Sequence, residues 1–374
     1  MLRTLNFAPK AVLRKIAILR LDFNTEDDWR MSASLPTINF LRRYAEKIVI
    51  IGHKGRPTAR AINGSPQGKD VKSHSLRSEA KKLARLVRHP ITFIDHLHLD
   101  RARQEIGQAP KGSLFLLQNV RFFSGEEKNS PLLGKELAKL GDYFVNDAFA
   151  VSHRSNASLV AITKFLPSFA GLNLETEVKT LHEVMEHPRH PMVVVLGGGK
   201  ASDKLGIILR LRKKASIFLI GGAAANTMLF VAGVRVGSSL RERHKKILHA
   251  LRPVLAMKHL MLPTDWRVEG SAILDIGPRT QKLFSREIEK ARTIIWSGPV
   301  GKFEEKRFAL GSKAIALAIR KNKKAFSLVG GGETIMFLKK YKLDRGFSFI
   351  STGGGAMLEF LSGEKLPGVE ALKK

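Results

Sequence analysis

Three glycines and two lysines follow one apolar run, and together they predict a site for phosphate groups. The run at residues 193–196 ends at 197–199, and Lys200 and Lys204 come next. Glycines at a strand end let backbone N–H groups approach an anion, and a helix that begins there adds the positive end of its dipole. Lysines four residues apart project from one helical face. The segment is not a Walker loop, since G-x-x-x-x-G-K-[ST] does not occur. The alternative is a tight turn with two solvated lysines.

Charged and polar side chains follow the apolar runs in the first half of the chain. Ligands of open α/β sheets lie at the carboxyl ends of the strands, so these side chains should share one edge. Guanidinium groups bind carboxylate and phosphate bidentately, which predicts a small molecule that carries both groups. One such arginine is more often a surface residue, but three at successive strand ends favour a functional site. The candidates are Asp22, Asn24, His53, Arg56, Arg121 and Arg154.

The apolar runs of the second half end in glycine-rich segments instead. These lie at 221–222, 296–304, 330–334 and 351–355. Several of them would begin helices, whose N–H groups and dipoles would point at one crevice. Any single segment could be a plain turn, but several on one sheet edge, with the two lysines, predict a nucleotide polyphosphate site.

Short apolar strands alternate with helical stretches along the chain, which is typical of parallel α/β sheets. The 374 residues correspond to roughly two domains, and 44% of them are hydrophobic, enough for substantial cores. Helical spacing of Leu174, Val178, Leu181 and Met185 predicts one helix between the two halves. Strands are predicted at 16–21, 48–52, 91–94, 114–117, 143–146, 192–196, 217–220, 260–262, 293–296, 326–329 and 347–350.

The predicted fold class is therefore α/β, with two doubly wound parallel-sheet (Rossmann-like) domains joined by a helix. Residues 1–172 would form the anion-binding domain, 173–187 the helix and 188–355 the nucleotide-binding domain. The C-terminal tail, about residues 356–374, is expected to return to the first domain.

Charge and composition limit the kinds of function that the chain could have. The net charge is +31, from 64 Lys and Arg against 33 Asp and Glu, and it attracts anions, nucleic acid included. The aromatic signatures of RNA-binding modules are absent from the sequence. Without cysteine there can be no disulfide framework and no thiolate zinc site, which suits a cytoplasmic location. The basic residues 1–20 could be a transit segment, but they run directly into the first strand.

Ten segments, in order and over nearly the whole chain, resemble the phosphoglycerate kinase family. They are L-R-L-D-F-N, R-M-S-A-S-L-P, G-H-K-G-R-P, Q-N-V-R-F, V-N-D-A-F-A-V-S-H-R, G-G-G-K-A-S-D-K, L-D-I-G-P, W-S-G-P-V-G-K-F-E, G-G-G-E-T and S-T-G-G-G-A-M-L-E. The resemblance implies a phosphotransferase of glycolysis and gluconeogenesis, acting between 1,3-bisphosphoglycerate with ADP and 3-phosphoglycerate with ATP, with Mg²⁺. The other hypothesis is a paralogue that keeps the fold, catalyses weakly and binds nucleic acid through its basic surface.

The resemblance also implies roles for individual residues in a chain expected to be a monomer. Arg30 and Lys200 would carry catalysis, and Gly353 and Gly354 would stabilise the transition state. Glu333 would hold Mg²⁺. The 3-phosphoglycerate would bind to Asp22, Asn24, Arg30, His53, Arg56, Arg121 and Arg154. The nucleotide would bind to Gly198, Lys200, Lys204, Gly222, Pro299, Glu304, Gly332, Glu333 and Thr334.

Some residues depart from the family pattern. Glu333 stands where an aspartate is usual, Ser297 where asparagine is usual, and Ile273 where a small glycine is common. The connection from Trp266 to Leu274 is shorter than in typical relatives, and the missing segment normally helps to wall the adenine pocket. We therefore expect a shallower base pocket and weak discrimination between ATP and GTP.

Overall fold

The structure is a computed structural model that describes residues 2–24, 28–58 and 69–373. Within them the chain divides into two compact units. The first contains the residues up to Lys179 together with the segment from Lys365 onward, and the second is Thr180–Glu364. The first unit therefore consists of two separate stretches of chain.

The first unit is built on a parallel sheet of six strands in the order β3-β4-β2-β1-β5-β6. These strands are β1 (Ala17–Asp22), β2 (Ile48–His53), β3 (Thr92–Ile94), β4 (Leu114–Leu117), β5 (Tyr143–Asn146) and β6 (Ser168–Ala170). The helices are α1 (Lys10–Leu13), α2 (Trp29–Ala33), α3 (Leu35–Tyr44), α4 (Lys69–His74), α5 (Arg77–Val87), α6 (Leu99–Gln108), α7 (Pro131–Ala138) and α8 (Leu172–Glu186). Short 3₁₀ turns lie at Leu5–Phe7, Val120–Phe122, Phe149–Val151 and Ala161–Lys164.

The second unit repeats this plan with the strand order β14-β13-β12-β7-β8-β9, again all parallel. Its strands are β7 (Met192–Leu196), β8 (Ile217–Ile220), β9 (Leu260–Met261), β12 (Thr293–Ser297), β13 (Phe326–Gly330) and β14 (Phe349–Ile350), with an antiparallel hairpin of β10 (Trp266–Glu269) and β11 (Ala272–Ile276). The helices are α9 (Ser202–Leu211), α10 (Gly222–Val231), α11 (Lys245–Leu255), α12 (Pro278–Lys290), α13 (Leu310–Lys321), α14 (Gly332–Lys340) and α15 (Gly355–Leu361), with a 3₁₀ turn at Lys306–Phe308. A last helix, α16 (Pro367–Glu370), belongs to the first unit.

Both faces of the first sheet are covered, which explains why its strands are apolar without alternation. Leu19 and Ile50 face a core shared with Ile38 of α3. Ile18 and Val49, one residue earlier on the same strands, face the opposite core. The predicted α/β class with two parallel doubly wound sheets is confirmed.

The strand order places a switch point in each sheet. In the first sheet the chain runs from β1 to one side through β2, β3 and β4, with β3 at the edge, and from β5 to the other side. In the second sheet it runs outward from β7 on one side and from β12 on the other. Ligands of doubly wound sheets bind beside such points, at the carboxyl ends of the strands. Candidate residues follow β1 and β7, the strands next to these points, and several of the other strands in each sheet.

Three strands were not expected from the sequence. The strand β6 has only three residues, too few for a clear pattern. The hairpin of β10 and β11 occupies the segment that we interpreted as a short connection. Its strands were not predicted because Trp266 and Val268 are both exposed, which hides any alternation of buried and exposed positions.

The helix α8 begins against a buried carboxylate. Asp147 Oδ1 accepts hydrogen bonds from Asn173 N at 3.0 Å and Leu174 N at 3.1 Å, which are among the first N–H groups of α8. Burial raises the pKa of this carboxyl from 3.8 to about 7, although the backbone hydrogen bonds act in the opposite direction. The division between the two units falls inside α8.

The C-terminal segment packs onto the beginning of the chain and onto β5. Arg3 N donates to Leu372 O at 3.0 Å, and Gly368 N donates to Ser152 O at 2.8 Å. Asn146 Nδ2, at the end of β5, donates to Gly368 O at 3.2 Å. A Cβ on Gly368 would lie 3.0 Å from Ser152 Cα, so this approach is easiest for glycine.

Candidate functional site

The ends of β1 and β2 bring four of the predicted anion-binding residues together. Arg30 Nη1, from α2, lies 2.5 Å from Asp22 Oδ2. Asp22 Oδ1 accepts from Asn24 N at 3.0 Å, and Asn24 Oδ1 accepts from Gly55 N at 2.9 Å. Asp22 thus holds Arg30 directly, and Asn24 fixes the segment after His53, in which Arg56 lies.

Arg121 is held at the same edge by the turn that follows β4. Asn119 Oδ1 accepts from Arg121 N at 3.0 Å, and Asn119 Nδ2 donates to Lys54 O at 2.7 Å. The guanidinium donates through Nη1 to Gly55 O. Its Nε is buried and has no hydrogen-bond partner among the described residues. Arg121 therefore keeps an unused donor at the site.

His53 lies at the centre of this edge as a neutral imidazole. Burial lowers its pKa well below the usual value, and the charges of Arg20, Arg121 and Arg154 lower it further. Arg20 Nη2 lies 2.9 Å from His53 Nδ1, and because a guanidinium only donates, Nδ1 accepts. The ring proton is therefore on Nε2, which is buried without a partner among residues 2–24, 28–58 and 69–373. His53 offers a neutral donor to a ligand.

Sequence reasoning missed Arg20, which lies inside the apolar strand β1 and is buried. Its Nε donates to Ser158 Oγ at 3.0 Å, and Ser158 Oγ in turn donates to Glu126 Oε1 at 2.6 Å. Through its contact with His53 Nδ1, the Arg20 side chain orients the imidazole ring. The available signal was a charged residue between two leucines in the apolar part of the strand.

The arginines at this edge outnumber the carboxylates near them. Burial lowers the pKa of Arg121, Glu127 raises it, and Arg154, Arg20 and Arg56 lower it again. Arg154 is half-buried and Arg56 is exposed. Because these guanidinium groups repel one another at short range, an anion bound among them would be stabilised by all of them. We call the set Arg30, His53, Arg56, Arg121 and Arg154 the basic edge.

The second unit contains a cavity of about 470 Å³ at the carboxyl ends of its strands. Of the predicted nucleotide-binding residues, those that line it are Gly198, Gly222, Pro299, Glu304 and Glu333. Its lining does not include Lys200, Lys204, Gly332, Thr334, Gly353 or Gly354. Lys200 is exposed, whereas Lys204 is buried and burial lowers its pKa, so the two lysines occupy different surroundings.

Glycines shape one end of the cavity, which we call the phosphate end because the sequence predicts phosphate binding there. Gly198 and Gly222 have φ of +84° and +62°, and a Cβ on Gly222 would lie 2.9 Å from Gly198 N. Gly199 and Gly332 differ from them, because a Cβ there would meet no atom within 4 Å and neither has a positive φ. Packing within the described chain does not require glycine at these two positions, whereas a ligand lying against the backbone would.

Two of the predicted residues form hydrogen bonds with other residues of the second unit. Thr334 Oγ1, in α14, accepts from Gly298 N at 2.7 Å and so fixes the loop that carries Pro299. Gly353 N already donates to Ser351 Oγ at 3.0 Å.

A divalent cation fits the side chain of Glu333. Its Oε2 would lie 2.9 Å from a Cβ on Gly198, so the carboxylate borders the phosphate end of the cavity. Among the described residues no group of three or more potential metal-ligating side chains occurs. Mg²⁺ is commonly bound through one or two carboxylates together with substrate phosphates and water. A single carboxylate therefore suits this metal as a companion of a nucleotide.

The hairpin supplies part of the opposite end of the cavity. Trp266, Ala272 and Ile273 line it, so the short connection that we expected to leave a shallower base pocket still forms part of the cavity wall. Asp275 of β11 also lines the cavity, and burial raises its pKa to about 7. Its two oxygens accept from Ile276 N at 2.9 Å and Gly311 N at 2.8 Å. Asp275 thus connects the hairpin to α13.

Comparison with known proteins decides the family. The family model described as phosphoglycerate kinase matches residues 11–364. The chain belongs to the phosphoglycerate kinase family. Among curated relatives, the phosphoglycerate kinase of Desulforapulum autotrophicum is 39% identical over 96% of this chain and 97% of its own length. That of Koribacter versatilis is 40% identical over 96% of each chain.

Solved structures of phosphoglycerate kinases agree with this assignment. The structure from Coxiella burnetii has a TM-score of 0.82 and 31% identity, covering 100% of this chain and 99% of its own. The structure from Pyrococcus horikoshii has a TM-score of 0.84 and 31% identity, covering 100% and 98%. The prediction of a glycolytic phosphotransferase is confirmed, and the paralogue hypothesis gains no support. None of the described helices is both long and apolar enough to span a bilayer.

Proposed function

We propose that the chain catalyses reversible phosphoryl transfer between 1,3-bisphosphoglycerate with ADP and 3-phosphoglycerate with ATP. The observation that carries the proposal is the basic edge, which has an excess of guanidinium groups and a neutral histidine donor. Its position at the switch point of the first sheet is where such folds bind ligands. The 470 Å³ cavity of the second unit supplies a separate place for the nucleotide.

The basic edge suits 3-phosphoglycerate because that molecule has a carboxylate, a hydroxyl and a phosphate. Arg56, Arg121 and Arg154 would bind its anionic groups, and His53 Nε2 would donate to it without adding charge. Asp22 is engaged by Arg30 in the described structure, so it would position that arginine and offer an acceptor to the hydroxyl. Asn24 would hold the loop of Gly55 in place.

The nucleotide would lie with its phosphates against Gly198, Gly199 and Gly332 and its ribose near Glu304. Lys204 would face the phosphates from the first turn of α9, and Lys200 would contact the group in transfer. Gly222 and Pro299 would form the floor, and Thr334 would act through the Gly298 loop. Gly353 and Gly354 precede α15 and would face the transferring group.

Glu333 would hold Mg²⁺, which would neutralise phosphate charge when bound. In the direction of ATP synthesis, an ADP oxygen forms the new P–O bond as the acyl-phosphate P–O bond breaks and the carboxylate leaves. No covalent intermediate with the protein is needed. Catalysis of this kind consists of positioning and charge stabilisation, which we assign chiefly to Arg30 and Lys200.

Two ligands that bind to separate units must be brought together for the reaction. The division between the units falls within α8, and we assign the hinge to this helix. We further propose that the enzyme acts as a monomer in the cytoplasm, as its lack of cysteine suits.

A coupled assay tests the proposed reaction. Purified protein with 3-phosphoglycerate and Mg-ATP should form 1,3-bisphosphoglycerate, measured as NADH oxidation by an added glyceraldehyde-3-phosphate dehydrogenase. Lys200→Ala serves as the control, because the residue is exposed and its loss should leave the fold intact. If ATP and GTP both gave no rate above that control, the assignment would be wrong.

A further inference from the structure

The cavity of the second unit has an end that is largely apolar. Leu229, Leu240, Trp266 and Ile273 line it, and a purine has flat apolar faces that suit such walls. Asn226 also lines the cavity and is 4% exposed. It lies one turn beyond Gly222 on α10, about 6 Å from the phosphate end along the helix axis.

The orientation of the Asn226 amide follows from its neighbours. Its Nδ2 lies 3.3 Å from Leu240 O and 3.2 Å from Ile273 O. Both neighbours are carbonyl oxygens that can only accept, so the amide nitrogen must face them with its two hydrogens. Ile273 is itself fixed, because its N–H donates to Ser239 Oγ at 2.8 Å. The amide therefore cannot turn over without leaving two carbonyls unpaired.

The amide oxygen of Asn226 is consequently free. Oδ1 accepts no hydrogen bond from the residues that the structure describes, and it is not among their fully enclosed unpaired atoms. Other polar groups near this end are occupied: Asp275 binds two backbone N–H groups, and Ser238 Oγ lies 2.9 Å from Ser271 Oγ. Among the described side chains at this end, Asn226 Oδ1 is thus an acceptor that no donor of the protein occupies.

We propose that Asn226 determines base specificity by accepting a hydrogen bond from the 6-amino group of adenine. This inference rests on the proposed function, since it concerns the nucleotide of that reaction. The base of an adenine nucleotide has one N–H donor group, the 6-amino group, so only this group can bind Oδ1. Hypoxanthine and guanine present a carbonyl oxygen at the same position, which would face the Asn226 oxygen without a proton between them.

The proposal revises the base preference expected from the sequence. The shortened segment and the bulk of Ile273 suggested a pocket that discriminates little between ATP and GTP. In the structure the Ile273 carbonyl instead orients Asn226, so the hairpin that shortens the wall also fixes a polar contact. We now expect the enzyme to distinguish the group at position 6.

The test compares ATP with two analogues at saturating 3-phosphoglycerate. Purine riboside triphosphate lacks any group at position 6, and kcat/KM should fall roughly 3- to 10-fold, as for loss of one neutral hydrogen bond. Inosine triphosphate carries an oxygen there, and its kcat/KM should be lower than that of ATP by about 10-fold or more, because two acceptors are left opposed. In Asn226→Ala the ATP value should fall toward those of the analogues, so that the ratios approach one.

Leu229→Ala is the matched control, since Leu229 lies on the same helix, lines the same cavity and has no polar side-chain atom. It should lower kcat/KM for all three nucleotides by similar factors and keep their ratios. Equal kcat/KM for ATP and purine riboside triphosphate in the wild type would overturn the proposal. So would ratios that persist unchanged in Asn226→Ala.

Failure of this inference can be told from failure of the proposed function. Turnover that is equal with all three nucleotides contradicts the role of Asn226 and leaves the kinase assignment intact. Calorimetric binding of ADP and inosine diphosphate measures the base contact without catalysis and should show the same preference. The wild-type comparison needs no variant, so it holds even if Asn226→Ala loosens the hairpin.

Discussion

Replacing Asp147 by asparagine should make the protein more stable at pH 8 and less sensitive to pH. The carboxylate is buried, and a single oxygen accepts both backbone N–H groups at the start of α8. The amide oxygen of asparagine can accept the same two hydrogen bonds. Asp147→Asn therefore removes the charge and keeps these two hydrogen bonds, while its amide nitrogen takes the place of Oδ2, which has no partner among the described residues. The Thr37 and Ser34 side chains, which also act to lower the pKa of this carboxyl, lie beside it.

The magnitude follows from the raised pKa. A shift of the Asp147 pKa from 3.8 to about 7 is about 3 units, and at 1.36 kcal/mol per unit it corresponds to about 4 kcal/mol. Between these two pKa values the folded state binds more protons than the unfolded state, so the free energy of unfolding falls as pH rises from about 4 to about 7. Asp147→Asn has no carboxyl group at this position, so its free energy of unfolding should not fall for this reason as pH rises.

Urea unfolding followed by circular dichroism between pH 5 and 8 measures the effect. The variant should gain stability relative to the wild type as pH rises, with an unchanged m-value. Asp100→Asn is the control, because Asp100 is an exposed carboxylate in the first turn of α6, and its profile should follow the wild type. An Asp147→Asn profile that is parallel to that of the wild type, or a variant less stable at pH 8, would refute the reasoning.

Three further predictions concern the site and the surface. Alanine at Arg30 or Lys200 should lower kcat by roughly 10²- to 10⁴-fold, as loss of a transition-state contact does. A raised KM at unchanged kcat would instead make that residue an ordinary binding residue. Glu333→Gln should raise the Mg²⁺ concentration for half-maximal rate by roughly 10-fold or more, whereas Glu304→Gln should leave that concentration unchanged. Binding of duplex DNA, measured by anisotropy, should be weak, independent of sequence and lost by about 200 mM salt; a complex that survives this salt would favour a nucleic-acid function.

Much of the fold could be predicted because buried parallel strands carry an unmistakable pattern. Every residue of β1, β2 and β7 is buried, so β7 and most of β2 appear in the sequence as continuous apolar runs, and β1 as an apolar run interrupted by Arg20. The elements that were missed lack this pattern. Strand β6 is too short, and β10 is mostly exposed.

Candidate site residues could be selected from the sequence where they end a strand, as Asp22 and His53 do, or lie in the turn after one, as Arg121 does. Arg20 and Asn226 were missed because their roles depend on distant partners. Arg20 contacts Ser158, 138 positions away, and Asn226 contacts Ile273, 47 positions away. The charge of Arg20 between two leucines is a local signal, but the partner of neither residue can be identified from the sequence.

The two-part composition of the first unit has a consequence for how the chain folds during synthesis. Its sheet is complete once β6 has been made, but the bonds from Asn146 and Ser152 to Gly368 cannot form until the whole second unit has been translated. At about 5–20 residues per second, this leaves the docking surface for the last segment open for roughly 10–40 s. Although most of the first unit is synthesised first, it therefore cannot complete its packing until the second unit has also been synthesised.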